Sequence, residues 1–242
     1  MFVPVAPLMP FFAHTVGWAL LGWVVAWLGG KRIKVSFHAT EDLQLFGLLG
    51  ALWAYGVDEC APVDKLLRDA PFAGKAMPAT LPRELPDLVT IQSESFFDAR
   101  RAYPQLKPEL LVNFDTLKAE GIQHGALRVV AWGANTVRTE FAYLSGLDSE
   151  VLGVHRYNPY RRLARYGVPT VASYLRQLGY RTVCVHPYHA SFYARNEILP
   201  ILGFDEFIDI RAFADAKRDG PYVGDRAVAN QVNELLRREG GA

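Results

Sequence analysis

Cysteine is scarce and no charge dominates. Cys60 and Cys184 are the two cysteines in 242 residues. They lie far apart, outside any CxxC or Cys/His spacing, so they read as free buried thiols rather than a disulfide or zinc ligands. Twenty-six Lys and Arg stand against 25 Asp and Glu, for a formal net charge of +1. No basic run exceeds a few residues, so the electrostatic footprint of a nucleic-acid binder is missing. Internal repeats and low-complexity tracts are absent too. What the chain does have is apolar residues: half of it is hydrophobic, enough for one sizeable domain and an appendage.

That hydrophobicity is uneven. From Phe11 to Gly30, FFAHTVGWALLGWVVAWLGG runs 20 residues without a formal charge, long enough to cross ~30 Å of hydrocarbon as a helix, with Trp residues suited to the interface. A buried helix or a signal peptide is the rival reading, but the run has no basic segment before it and no small-residue cleavage pattern after it. KRIK, Lys31 to Lys34, follows and marks the cytoplasmic end by the positive-inside tendency. A second apolar run, LQLFGLLGALWAYGV over Leu43–Val57, is short for a span. It is read either as a return crossing or as a helix lying in the interface or on the domain. Residues 1–60 are thus expected to be a membrane region, and 61–86, rich in Pro, Ala and charge, a tether.

From Asp87 to the last residue the pattern alternates. DLVTIQ (Asp87–Gln92) and ALRVVAW (Ala126–Trp132) read as short buried strands. PELLVNFDTLKAEG (Pro108–Gly121) reads as an amphipathic helix with Pro near its start and Gly at its end. TVASYLRQLGY (Thr170–Tyr180) is helical, RTVCVH (Arg181–His186) a strand, and DRAVANQVNELLRRE (Asp225–Glu239) a further helix. Such succession predicts an α/β layer with a mostly parallel sheet flanked by helices, and in such sheets chemistry gathers at the carboxyl ends of strands.

Two predicted strand ends carry candidate groups. The first runs into SESFFDAR, with Glu94 just past the apolar residues, and the second runs into GANT, delivering Thr136 to a helix start. A carboxylate and a hydroxyl meeting in one crevice, with a helix dipole behind the hydroxyl, suit a hard divalent cation and an alcohol nucleophile. The plain alternative stays open: Thr136 is an ordinary N-cap and Glu94 a surface carboxylate. Thr139 stands where a reciprocal capping box would place Glu or Gln.

PDLVTIQSESFFD, then WGANTVRTEFAYLSGL, then YRTVCVHPYHASFYARNEILPILGFDEFID resemble, in that order, the lipoteichoic acid synthase branch of the sulfatase and alkaline-phosphatase superfamily. The resemblance covers about Pro86 to Glu239. It implies a sulfatase-like α/β fold behind N-terminal membrane helices, with the catalytic domain outside the cell (inner) membrane, toward the periplasm or exterior. It further implies that Glu94 ligates one Mn²⁺ or Mg²⁺ ion, and that Thr136 is both a ligand of that ion and the nucleophile. Arg195 would contact the phosphate of a lipid substrate, where its planar fork can donate twice. Tyr193 stands where better-known members carry Trp. Ser93, Asn135, His186 and His189 are supporting candidates around the site. Arg138 reads as a helix-surface charge. Classical sulfatases carry an oxidisable Cys or Ser before x-Pro-x-Arg, and NTVRT has neither that residue nor the Pro.

The family completes its metal site with an Asp-His pair and a further His. No Asp-His dipeptide occurs in this sequence, so the chain reads as the front portion of such a domain, its ion weakly held. The expected activity is transfer of phosphoglycerol or a similar phospho-alcohol from a phospholipid donor to an envelope glycan, through a phospho-threonine. The alternatives are a catalytically incompetent membrane protein that at most binds head groups, and a sulfatase-like hydrolase or phosphodiesterase. The sequence leaves the oligomeric state open.

Overall fold

The computed structural model describes residues 8–30, 33–81, 83–93, 96–131 and 135–239, and they form two units, Met1–Val63 and Asp64–Ala242.

In the first unit, α1 (Leu8–Gly30) is a 23-residue helix whose segment Pro10–Gly29 is long and apolar enough to cross a membrane. Its large apolar side chains, from Phe11 through Trp18 to Leu28, are exposed. Its two polar side chains turn back on the helix: His14 Nδ1 lies 2.7 Å from the Pro10 carbonyl, and Thr15 donates to that of Phe11 at 2.8 Å. Such back-bonding satisfies the Thr15 hydroxyl and one ring nitrogen of His14 within the helix itself.

The second apolar run is helical but not straight. Helix α2 (Ala39–Glu59) breaks at Gly47, where φ is 66° and ψ is 174°. The break lets Tyr55 donate to Asp42 at 2.7 Å, whereas 13 residues of unbroken helix would hold them ~20 Å apart. Asp42 also accepts from Ser36 and Phe37, so one buried carboxylate ties the preceding turn to both arms. Neither arm alone reaches ~30 Å, and among the described residues Pro10–Gly29 is the one segment long and apolar enough to cross a membrane.

The second unit starts at α3 (Asp64–Arg68). Within the stretch expected to be a tether, Ala70 is buried, and Phe72 stacks near Tyr174 at 6.3 Å with Lys75 over both rings. Residues 64–76 therefore belong to the domain. Farther on, Arg100 grips Asp98 and Asp115 with its guanidinium fork. The predicted helix over Pro108–Gly121 divides: Leu111, with φ −121° and ψ 36°, separates a 3₁₀ turn from α4 (Val112–Glu120).

Neither predicted strand at 87–92 nor at 126–132 forms among the described residues, and Trp132 lies outside them. Ile91 and Leu127 are each 84% exposed. Strands exist only as ladders, and no described strand lies beside either run to pair with it.

What does form is one parallel β-α-β unit. Strand β1 (Val183–Val185) pairs in parallel with β2 (Glu206–Ile208), with Cys184 opposite Phe207, and helix α7 (Arg195–Ile201) makes the crossover. Strands β3 (Arg218–Asp219) and β4 (Tyr222–Val223) form a hairpin across Gly220. The sheet is small, but the α/β organisation with a parallel pair is the predicted one. Side chains alternate across β1 as the pleat requires. Val183 and Val185 join Ile208, Phe213 and Val223 under α8 (Asp225–Glu239), through Ala227, Val228 and Leu235. On the other side lies the main core, built from Phe141 and Leu144 of α5 (Thr136–Ser145), Tyr160, Leu163, Val168, and Ile198, Leu199 and Leu202 around α7.

Helix α6 (Val171–Gln177) shows how its sequence sets its position. Thr170 and Ser173 form a reciprocal capping box, and the Thr170 hydroxyl donates to the Leu202 carbonyl, pinning α6 to the end of α7. There Gly203 adopts φ +101°, and a Cβ on it would meet Ser173 Cα and N at 2.5 Å. We expect Gly203→Ala to cost about 2–4 kcal/mol, through strain and overpacking together, read as a lowered urea midpoint; an unchanged midpoint would show that the contact yields freely.

Candidate active site at the start of α5

Thr136 is not the cap of its helix. It is the first residue of α5, half-buried, and Asn135 before it is the cap, in the left-handed region at φ 63°. Asn tolerates that conformation better than most residues. Its side chain makes no cap hydrogen bond and donates instead to the Tyr157 carbonyl at 3.0 Å, fastening the turn to the 3₁₀ segment ending there. Beyond Thr136 the helix buries Val137, Phe141, Leu144 and Ser145, one stripe at helical spacing.

Glu140 stands one turn after Thr136 and faces inward. Its carboxylate accepts from the Tyr160 hydroxyl at 2.6 Å and from Arg195 Nη2 at 2.8 Å, with Arg195 Nε at 3.3 Å from both oxygens. Arg195, first residue of α7, is 1% exposed, and Nη1 is buried without a partner among the described residues. The chain delivers it inward through two consecutive left-handed residues, Tyr193 (φ 57°) and Ala194 (φ 54°). The guanidinium rests 5.4 Å from the Tyr193 ring centroid, close enough for a cation–π contact.

This buried pair shapes the ionisation around it. Burial opposes the charge on Arg195, but hydrogen bonds to Glu140 and its carboxylate outweigh that and hold the guanidinium above its ordinary value. Burial, then the Glu140 charge and hydrogen bond, push the Tyr160 phenol well up, so it stays protonated and donates. Burial and the same carboxylate push the Cys184 thiol up to about 12, so it is no nucleophile at neutral pH. Cys60, by contrast, is exposed, not buried as its sequence context suggested. Burial and the Arg195 cation lower the His186 imidazole.

The expected site residues therefore divide. Asn135 and Thr136 open α5, and Tyr193 and Arg195 stand at the start of α7; what joins the two helices is the Glu140–Arg195 pair. His186 lies just past β1, half-buried, its N–H donating to the Ile208 carbonyl. His189 is exposed, 5.2 Å from the Tyr188 ring. Ser93 is exposed on an irregular stretch, and Glu94 lies outside the described residues. Arg138 is half-buried rather than a plain surface charge. It donates to the Val130 carbonyl, and burial and the neighbouring Arg156 lower its pKa. Sequence reasoning missed Glu140 and Tyr160. Their one legible trace is a Glu four residues after the threonine, on the face that an apolar stripe turns inward.

No group of three or more His, Cys, Asp or Glu among the described residues is placed to hold a metal ion. Thr136 contributes one hydroxyl oxygen, and Arg138, two residues on, has the Arg156 cation for a neighbour. By themselves these residues do not make a divalent-cation set, which needs several anionic or carbonyl oxygens.

The Sulfatase family model matches residues 86–241. Among curated proteins, the capsular polysaccharide biosynthesis protein RkpI of Rhizobium meliloti (strain 1021) is 38% identical over 210 residues, covering 86% of this chain and 33% of RkpI. A protein of the same strain assigned to cyclic beta-1,2-glucan modification is 26% identical over 160 residues, covering 65% of this chain and 24% of that protein. The chain thus spans a third of the length of one relative and a quarter of the other. Among solved structures, the lipoteichoic acid synthase LtaP from Listeria monocytogenes superposes with a TM-score of 0.39 at 24% identity, over 47% of this chain and 27% of that one.

Two outcomes follow from the buried pair. Arg195→Met strands the Glu140 carboxylate beside Tyr160 alone and is expected to cost about 3–5 kcal/mol in chemical unfolding; a loss below ~1 kcal/mol would mean that Glu140 is solvated. His186 has its folded pKa below the ordinary 6.5. Between the two values the unfolded chain binds a proton that the folded chain does not, so its contribution is full above 6.5 and is lost as pH falls through the folded value. The melting temperature should fall from about pH 7.5 to about pH 5.5, and His186→Phe should fall less; equal slopes would refute the assignment.

Proposed function

The chain belongs to the sulfatase family, and from that premise we propose that it is part of a membrane-anchored phosphoryl transferase of the cell envelope. Its substrates would be a phospholipid donor of phosphoglycerol or a similar phospho-alcohol and an envelope glycan acceptor. The observation that carries the reading is Thr136, at the first position of a buried-stripe helix, with Glu140 one turn on pairing a buried arginine, Arg195. The names of the two curated relatives, one in capsular polysaccharide biosynthesis and one in glucan modification, supply the acceptor class. The apolar helix α1 supplies a candidate anchor.

In this reading the Thr136 oxygen attacks the donor phosphorus, the bond from phosphorus to the lipid oxygen breaks, and the proton lost by threonine ends on that lipid alcohol. A glycan hydroxyl then attacks the phospho-threonine, the bond from phosphorus to the threonine oxygen breaks, and the hydroxyl of Thr136 is restored. Nη1 of Arg195, the donor that Glu140 leaves unclaimed, contacts a phosphoryl oxygen, and Tyr193 lies beneath the guanidinium as its platform. His186 and His189 border the site near the end of β1. Enzymes of this superfamily use divalent metal ions, and we assign Glu94 and Thr136 as the ligands from this chain for a Mn²⁺ or Mg²⁺ ion. The domain is placed outside the membrane, where the donor head group and the glycan meet.

In the intact protein, Thr136→Ala is expected to abolish phosphoryl transfer while costing no more than ~1 kcal/mol of stability; retained turnover defeats the nucleophile assignment. Glu94→Gln is expected to weaken Mn²⁺ binding in calorimetry at least tenfold (~1.4 kcal/mol), and unchanged affinity removes Glu94 from the site.

A further inference from the structure

Helix α5 carries the proposed nucleophile at its first position. Its cap, Asn135, is left-handed and makes no side-chain cap bond, whereas α6 has a complete capping box. The Asn135 side chain ties the turn to the Tyr157 carbonyl, and the next anchored side chain along the helix is that of Glu140. Residues 136 and 140 are four apart, so their side chains lie within ~40° on one face and ~6 Å along the axis. Whatever fixes the azimuth of Glu140 therefore fixes that of Thr136.

Three donor atoms fix Glu140. Tyr160 donates to Oε1 at 2.6 Å, and Arg195 donates Nη2 to Oε2 at 2.8 Å and offers Nε at 3.3 Å to both oxygens. The two donors come from different directions. Arg195 opens α7, and Tyr160 sits in the irregular segment before Leu163, where its ring meets Phe141 edge-on at 6.4 Å. Both are essentially fully buried, so neither side chain has room to swing away. The backbone accepts left-handed conformations at Tyr193 and Ala194 to place Arg195 there, strain that persists only where surrounding contacts over-determine it.

We propose that Glu140 is the positioning residue of this site: its carboxylate, shared between Tyr160 and Arg195, holds the first turn of α5 in register, aims the Thr136 hydroxyl, and sets the Arg195 guanidinium at a fixed place beside it. Glu140 touches no reacting atom. Its effect on chemistry comes through Thr136 and Arg195, and the proposal rests on Thr136 being the nucleophile.

The test uses the intact protein with Tyr160→Phe and Glu140→Gln. Tyr160→Phe keeps the packed ring and removes one donor, so it folds even where Glu140→Gln does not. Amide exchange at Glu140, Phe141 and Ala142, whose N–H groups close the first turn, is expected to quicken about tenfold in Tyr160→Phe while the α6 amides stay unchanged. Exchange as in the wild type, or quickened equally in α5 and α6, overturns the proposal. With bis(para-nitrophenyl) phosphate as the phosphodiester probe, kcat is expected to fall about tenfold with KM held within about twofold, and an unchanged kcat also overturns it. A wild type that turns over no phosphodiester counts against the nucleophile reading, while the exchange pattern still decides whether Glu140 holds the turn.

Discussion

A carboxylate and a guanidinium withdrawn from water together must satisfy each other almost completely, and in this chain Glu140 and Arg195 do so at the junction of two helices. Desolvating two charges costs several kcal/mol each, a cost offset only by good geometry and further hydrogen bonds. Tyr160 supplies one such bond. Breaking any member would leave a buried charge underpaired, so α5, α7 and the segment carrying Tyr160 are bound to one arrangement. The surrounding titrations follow from that charge pair: a phenol and a thiol held protonated, an imidazole held neutral.

Around this junction the fold is economical. One parallel strand pair, crossed over by α7, separates the charged junction from a purely apolar cluster beneath α8. The alternation of β1 divides the two environments residue by residue: Val183 and Val185 face hydrocarbon, while Cys184 faces the side where Glu140 and Arg195 meet. A strand three residues long can do this because the pleat turns successive side chains to opposite faces. The glycine at 203 and the capping box at 170 and 173 then bring α6 close against the α7–β2 turn.

The first unit obeys a different physics. In α1 no apolar face is favoured, and the polar side chains bond to their own helix. In α2 a single buried carboxylate, Asp42, collects donors from a preceding turn and from a tyrosine beyond the kink. Composition marked both runs as apolar. Length and charge distinguished the first, whereas the bend in the second is a property of Gly47 that only coordinates reveal.

Local patterns determined much of this protein. Uninterrupted apolar length marked α1; the alternation of helical and strand patterns marked α6, α8 and the strand at 183–185; and an ordered set of motifs marked the family. These are features that neighbouring residues settle among themselves. Tertiary structure decided what neighbours cannot settle. Apolar runs at 87–92 and 126–131 have strand composition, yet a strand requires a partner elsewhere in the chain, and none of those described lies beside them. The family resemblance assigned Arg195 a phosphate, but gave no sign that a left-handed turn at 193–194 would bury it on a glutamate 55 positions earlier. Burial of a charge depends on a partner distant in sequence, and a linear string of residues carries no distances.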